Sequence, residues 1–202
     1  MVDFKNSRVF PIALVVIIVI VAVAALISLA RAVFFSGSST QPLTSQEDNS
    51  REALLSSAVG RSVSMSVRGP IVADEEFRSY EIVVTPNSRS LTTYSGYIKQ
   101  PISQTGLGNN IPAYENFVYS LARADLAEGT ALEGDDNDTR GVCATGKLYE
   151  FTISNDNQTV ERLWTTTCRD ARGSLDANRD QLTQLFVKQI PDGSDAIRAE
   201  DL

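Results

Sequence analysis

The chain has 202 residues, with 18 Lys and Arg against 25 Asp and Glu, two Cys and no His. A net charge of -7 and a pI of about 4.7 exclude the basic footprint of a nucleic-acid binder. The missing His excludes Ser-His and Cys-His nucleophilic pairs and every His-ligated metal. The mean hydropathy of -0.08 averages an apolar N-terminal stretch with a polar, acidic remainder.

Residues 1–8 form a short tail. Val9 to Ala30 then run 22 residues without a charge, rich in Val, Ile, Ala and Leu. As a helix this run spans about 33 Å, enough for a hydrocarbon core of about 30 Å. In lipid the backbone must satisfy its own hydrogen bonds, so helix wins over the β preference of Val and Ile. Pro11 falls near the start, where a missing N–H costs little. The run exceeds a signal-peptide apolar region of about 7 to 15 residues, although Ala30-Arg31-Ala32 has cleavage-site spacing. The expectation is a retained, single-pass signal anchor over residues 9–35. Lys5 and Arg8 before it, against Arg31 after it, place the N-terminus in the cytoplasm and the rest outside the cell membrane.

The exported part carries 15 basic and 24 acidic residues. Residues 36–49, dominated by Gly, Ser, Thr, Gln and Pro, read as a flexible stalk. The folded domain is then residues 50–191. Asn49 or Ser50 caps a short helix over Arg51 to Val59. Ser62-Val63-Ser64-Met65-Ser66-Val67-Arg68 alternates strictly, the pattern of a half-buried strand. Arg78 to Thr85 and Ser90 to Ile98 flank Pro86-Asn87 and form a hairpin. A loop at Gly106 to Asn110 leads to a helix with Tyr114, Phe117, Val118 and Leu121 on one stripe, closed by Gly129. Gly141 to Ser154 and Gln158 to Cys168 form a second hairpin around Asn155-Asp156-Asn157. With Asn155-Asp156 as a two-residue turn, Tyr149 faces Arg162, Phe151 faces Val160, Glu150 faces Glu161 and Cys143 faces Cys168. That register puts Cys143, Tyr149, Phe151, Ile153, Val160, Trp164 and Cys168 on the buried face. Asp176 to Gln189 makes the last helix, and residues 192–202 an acidic disordered tail. The order gives an α+β fold, in which a transmembrane helix precedes a two-layer domain of antiparallel β-hairpins packed against helices in ββα-ββα order.

The run from Cys143 through Lys147-Leu-Tyr-Glu-Phe to Leu163-Trp-Thr-Thr-Thr-Cys168, with the helix ending Leu185-Phe186 and Ile190-Pro191, resembles uncharacterised bacterial cell-envelope proteins. Those have a small α+β domain with paired cysteines behind an N-terminal anchor or lipoprotein signal. The resemblance implies no activity.

Two cysteines in an exported hairpin read as a structural disulfide, since redox pairs are closely spaced at helix N-termini. Glu133, Asp135, Asp136 and Asp138 are a Ca²⁺ candidate by oxygen count alone, because the spacing fails the EF-hand pattern at Arg140 and Lys147. A solvated acidic loop is the bland alternative, and no cofactor is expected. Facing Glu150 and Glu161 would repel unless Arg162, Lys147 or a cation relieves them. Tyr80, Tyr94, Tyr97 and Tyr149 read as strand packing; several exposed together would suggest a glycan or protein contact. The expected role is non-catalytic binding of a protein or envelope component. The alternative is a carboxylate-dependent hydrolase or an inhibitor domain, its site assembled only in the fold.

Overall fold

The computed structural model describes residues 43–171 and 173–200. The tail at 1–8, the anchor at 9–35 and the stalk up to residue 42 lie outside the described residues. Among the described residues no helix is long and apolar enough to cross a membrane. The chain runs α1 (Leu43–Leu55), β1 (Arg61–Arg68), β2 (Arg78–Val84), β3 (Ser88–Ser95), β4 (Gln100–Gly108), α2 (Ile111–Arg123), a 3-10 turn (Gly134–Asn137), β5 (Leu148–Asn155), β6 (Gln158–Thr166), α3 (Arg179–Val187) and α4 (Gly193–Arg198). The fold is α+β, with a six-stranded, fully antiparallel sheet in the order β4-β3-β2-β1-β5-β6.

The alternating strand is β1, and it sits at the centre between a three-stranded meander and a hairpin. Its Val63, Met65 and Val67 are at most 1% exposed and face the helices. They are joined there by Tyr80, Ile82 and Val84 of β2, Leu91 of β3, and Phe151 and Ile153 of β5. Onto this face pack Leu54 of α1, the stripe Tyr114, Phe117, Val118 and Leu121 of α2, and Leu182 and Phe186 of α3. Phe186 meets Phe117 edge-on at 5.2 Å and Phe151 at 5.9 Å, tying both helices to the sheet. Asn110 and Asn178 cap α2 and α3 by accepting from the backbone N–H of Ala113 and Gln181.

Several boundaries differ from the sequence expectation. Strand β4 lies between the expected strand ending at Ile98 and the expected loop from Gly106, and takes the first residues of that loop; its Pro101 and near-complete exposure suit an edge strand, which needs no apolar alternation. It turns the first ββα unit into a meander plus helix. Helix α1 starts at Leu43, inside the expected stalk, and ends at Leu55, before Val59. Helix α2 stops at Arg123, well short of Gly129, which instead bridges to Leu175. Residues 193–198 of the expected disordered tail form α4, because Ile197, 8% exposed, joins the core.

The second hairpin is displaced in register. Its turn residues are Asp156 and Asn157, with φ of 48° and 64°, as a type I′ turn requires. An irregularity between Ile153 and Ser154, opposite Val160, then adds one residue to β6. Tyr149 therefore faces Thr165, Phe151 faces Leu163 and Glu150 faces Trp164. The extra residue reverses which β6 side chains turn inward. Leu163 and Glu161 lie on the helix side, while Arg162 and Trp164 lie on the outer side, against the expectation for Trp164. Val160 is 38% exposed and not in the core.

Candidate functional site

Cys143 and Cys168 form the expected disulfide, with Cα atoms 5.5 Å apart. They sit just beyond the strands, because β5 begins only at Leu148 and β6 ends at Thr166. The bridge thus closes the mouth of the hairpin, and its Cys143 side belongs to the loop from Asp138 to Lys147.

That loop folds over the outer face of the sheet. Asn137 Oδ1 accepts from Trp164 Nε1 at 3.1 Å, and Asn137 O from Arg162 Nη1 at 3.0 Å. Thr139 Oγ1 donates to Glu150 Oε1 at 2.9 Å and accepts from Arg162 Nη2 at 3.1 Å. Arg162 holds Glu150 at both oxygens, Nε to Oε2 at 3.0 Å and Nη2 to Oε1 at 2.9 Å. Burial works to raise the Glu150 carboxyl, but the hydrogen bond and charge of Arg162, with Thr139 and Lys99, hold it below its ordinary value. The feared Glu150–Glu161 clash does not arise, since the bulge sends Glu161 to the opposite face.

The acidic residues themselves are not gathered. Glu133, Asp135, Asp136 and Asp138 lie on or beside the 3-10 turn. The side-chain and backbone hydrogen bonds of Arg140 pull the Asp138 carboxyl down to about 2. Among the described residues no group of three or more His, Cys, Asp or Glu is placed to hold a metal ion.

Beneath the loop lies a cleft of about 500 Å³ on the outer face. Its floor is made where the central strands carry small outward side chains, Ser66 of β1 and Ser79 of β2. Its walls are Ile71 and Phe77 from the β1–β2 connection, Tyr97 from the β3–β4 turn, and Leu148. Phe77 and Tyr97 stack with ring centroids 4.1 Å apart. Tyr97 Oη donates to Val72 O at 2.7 Å and its backbone N–H to Asp74 Oδ1 at 2.7 Å, joining the two turns. Ile71 and Tyr97 of the cleft wall, and their chain neighbours Val72 and Ile98, are all at least 39% exposed.

Three cations line this cleft, Arg68, Lys99 and Arg140, beside one carboxylate, Glu150. Arg68 Nη2 donates to the carbonyls of Thr139 and Val142 and so clamps the loop. Among the described residues its Nη1 is buried without a hydrogen-bond partner, and so is the hydroxyl of Ser79, 2% exposed. The two residues are directly opposite in the β1–β2 ladder.

Sequence reading did not find this site. The available signal was the outward half of the β1 alternation, Ser62, Ser64, Ser66 and Arg68: small side chains on a strand, ended by a cation. The tyrosines do not form a platform: Tyr80 is buried on the helix side, Tyr149 half-buried there, and Tyr97 alone of the four is exposed, at 48%. A general acid needs a carboxyl held protonated near neutrality; Glu150 is held the other way, and among the described residues no second carboxylate lines the cleft. The arrangement is suited to holding a molecule. Comparison with known proteins finds no matching family, no similar curated protein and no similar solved structure.

Proposed function

We propose that this protein is a membrane-tethered, non-catalytic binding domain that holds an envelope component in the outer-face cleft. The observation carrying the reading is the cleft itself: about 500 Å³, walled by apolar side chains and floored by a few polar groups, the composition typical of ligand sites. The uncharged run at Val9–Ala30 supports attachment to the cell membrane with the domain outside, and the disulfide supports an oxidising compartment.

The test is native mass spectrometry of the full chain purified from membranes, beside the variant Ser66→Trp, whose indole fills the cleft floor. The expected result is a non-covalently bound mass on the wild type that Ser66→Trp lacks. A wild type carrying nothing, or a variant carrying the same mass, refutes the reading. Topology is tested separately: protease added to intact cells stripped of outer barriers digests the domain if it lies outside the cell membrane.

A further inference from the structure

The proposed binding site is basic within an acidic protein. The chain carries 25 acidic and 18 basic residues, yet the cleft is lined by three cations and one carboxylate. Two of these charges are already neutralised nearby: Glu150 by Arg162, and Arg140 by Asp138, whose Oδ2 is 2.6 Å from Nη2. Lys99 stands at the mouth with Nζ 5.8 Å from the Tyr94 ring centroid. Arg68 remains. Among the described residues it enters no ion pair, its Nη2 is engaged by two carbonyls, and its Nη1 is buried and unpartnered.

Buried donors are almost always satisfied, because an unmade hydrogen bond there loses solvation without compensation. Of the few buried side-chain atoms left without a hydrogen bond among the described residues, two, Arg68 Nη1 and Ser79 Oγ, stand on cross-strand neighbours that line one cleft. Side chains directly opposite in an antiparallel pair have Cβ atoms about 5 Å apart, so Ser79 stands beside the root of the Arg68 side chain on the cleft floor. Guanidinium can only donate, which excludes a cation or a bare carbonyl-poor hydrocarbon as the occupant of that spot. Two donors match the two oxygens of a carboxylate; a phosphate brings more oxygens and more charge than they satisfy. Phe77, Tyr97, Ile71 and Leu148 then enclose an apolar body.

Resting on the binding reading above, we infer that the cleft takes a small organic carboxylate on an apolar or aromatic body, its oxygens on Arg68 Nη1 and Ser79 Oγ. Ser79 is a binding residue whose hydroxyl has no partner until the ligand arrives.

Isothermal titration of the full chain in lipid nanodiscs, with empty nanodiscs as blank, tests this with four probes: 2-naphthoate, neutral 2-naphthamide, 2-naphthyl phosphate and acetate. The expected order is 2-naphthoate tightest, the amide and the phosphate each at least tenfold weaker, and acetate undetectable. Ser79→Ala weakens 2-naphthoate about tenfold, the worth of one hydrogen bond to a charged group, while its melting temperature does not fall. Arg68→Met abolishes selection for the anion; because Arg68 also clamps the loop, Ser79→Ala and Lys99→Gln serve as variants that leave that clamp intact. Equal binding of naphthoate and naphthamide, or an unchanged affinity in Ser79→Ala, overturns the carboxylate assignment and leaves a binding cleft. Tighter binding of the phosphate overturns the choice of anion. Binding of none of the probes overturns the inference, and the mass-spectrometric comparison with Ser66→Trp then decides separately whether the binding reading falls too.

Discussion

Replacing both cysteines by Ala removes a link that spans 25 positions and closes the β5–β6 hairpin at its mouth. Cross-linking a loop of that size removes about 12 cal/mol/K of chain entropy from the unfolded state, or about 3.5 kcal/mol at 25 °C. With a urea m-value near 2 kcal/mol/M, the midpoint falls by about 1.5 to 2 M. Cys143 is buried, at 8% exposed, so the packing lost on truncation to Ala adds to the entropic loss. The assay is urea unfolding of the wild type and of Cys143→Ala/Cys168→Ala, followed by circular dichroism, with native spectra compared first. A local effect accompanies the global one. Val142, next to Cys143, supplies a carbonyl to Arg68, so unlinking the loop loosens the roof of the cleft. Amides from Thr139 to Lys147 then exchange hydrogen faster than the β1–β2 ladder does. A midpoint shift under about 0.5 M refutes the loop-closure account, and unchanged exchange at 139–147 refutes the claim that the bridge tensions the roof.

Four further outcomes follow from particular contacts. A carboxyl held below its unfolded value stabilises fully above that value and loses its contribution as pH falls through the folded one. Glu150, ordinarily at 4.5, therefore contributes fully at neutral pH, and the contribution declines as pH falls below about 4.5 toward its lower folded value; Glu150→Gln flattens that part of a stability-against-pH curve. Removing its partner in Arg162→Met strands a carboxylate about a quarter exposed and costs about 2 kcal/mol, a figure reduced from the buried-pair value for partial solvent screening; a melting temperature equal to wild type contradicts this. Gly173 has φ of 76° and an added Cβ would stand 2.1 Å from Trp164 O, so Gly173→Ala costs about 2 kcal/mol or more in chemical denaturation. Ser79→Ala, by deleting a buried hydroxyl without a partner, raises stability by up to about 1 kcal/mol in the ligand-free protein, and a loss instead shows that the hydroxyl is satisfied.

The elements legible in the sequence are those whose residues report their own surroundings. The β1 alternation, the α2 stripe from Tyr114 to Leu121 and the Pro86-Asn87 turn each stand where expected, since each follows from local periodicity or turn chemistry. Strand β4 was not legible because an exposed edge strand has no apolar face to pattern. The β5–β6 register was not legible because an irregularity opposite Val160 leaves no mark in composition, yet one residue reverses a face. The tail helix α4 was hidden for a different reason: one buried Ile197 among polar neighbours is too weak a signal to outweigh acidic composition.

The sequence by itself determined the charge balance, the uncharged run at 9–30, the class of the fold and a cysteine pair that could bridge. These depend on counts and on neighbours along the chain. Tertiary structure alone decided that Arg68 and Ser79 stand side by side, that Arg162 takes Glu150 while Glu161 turns away, and that the acidic loop is anchored by Asn137 and Thr139. The physical reason is that a site is made of side chains far apart in sequence, brought together by strand pairing. Residues 68 and 79 become neighbours only when β1 and β2 align, and a single added residue in either strand would have parted them.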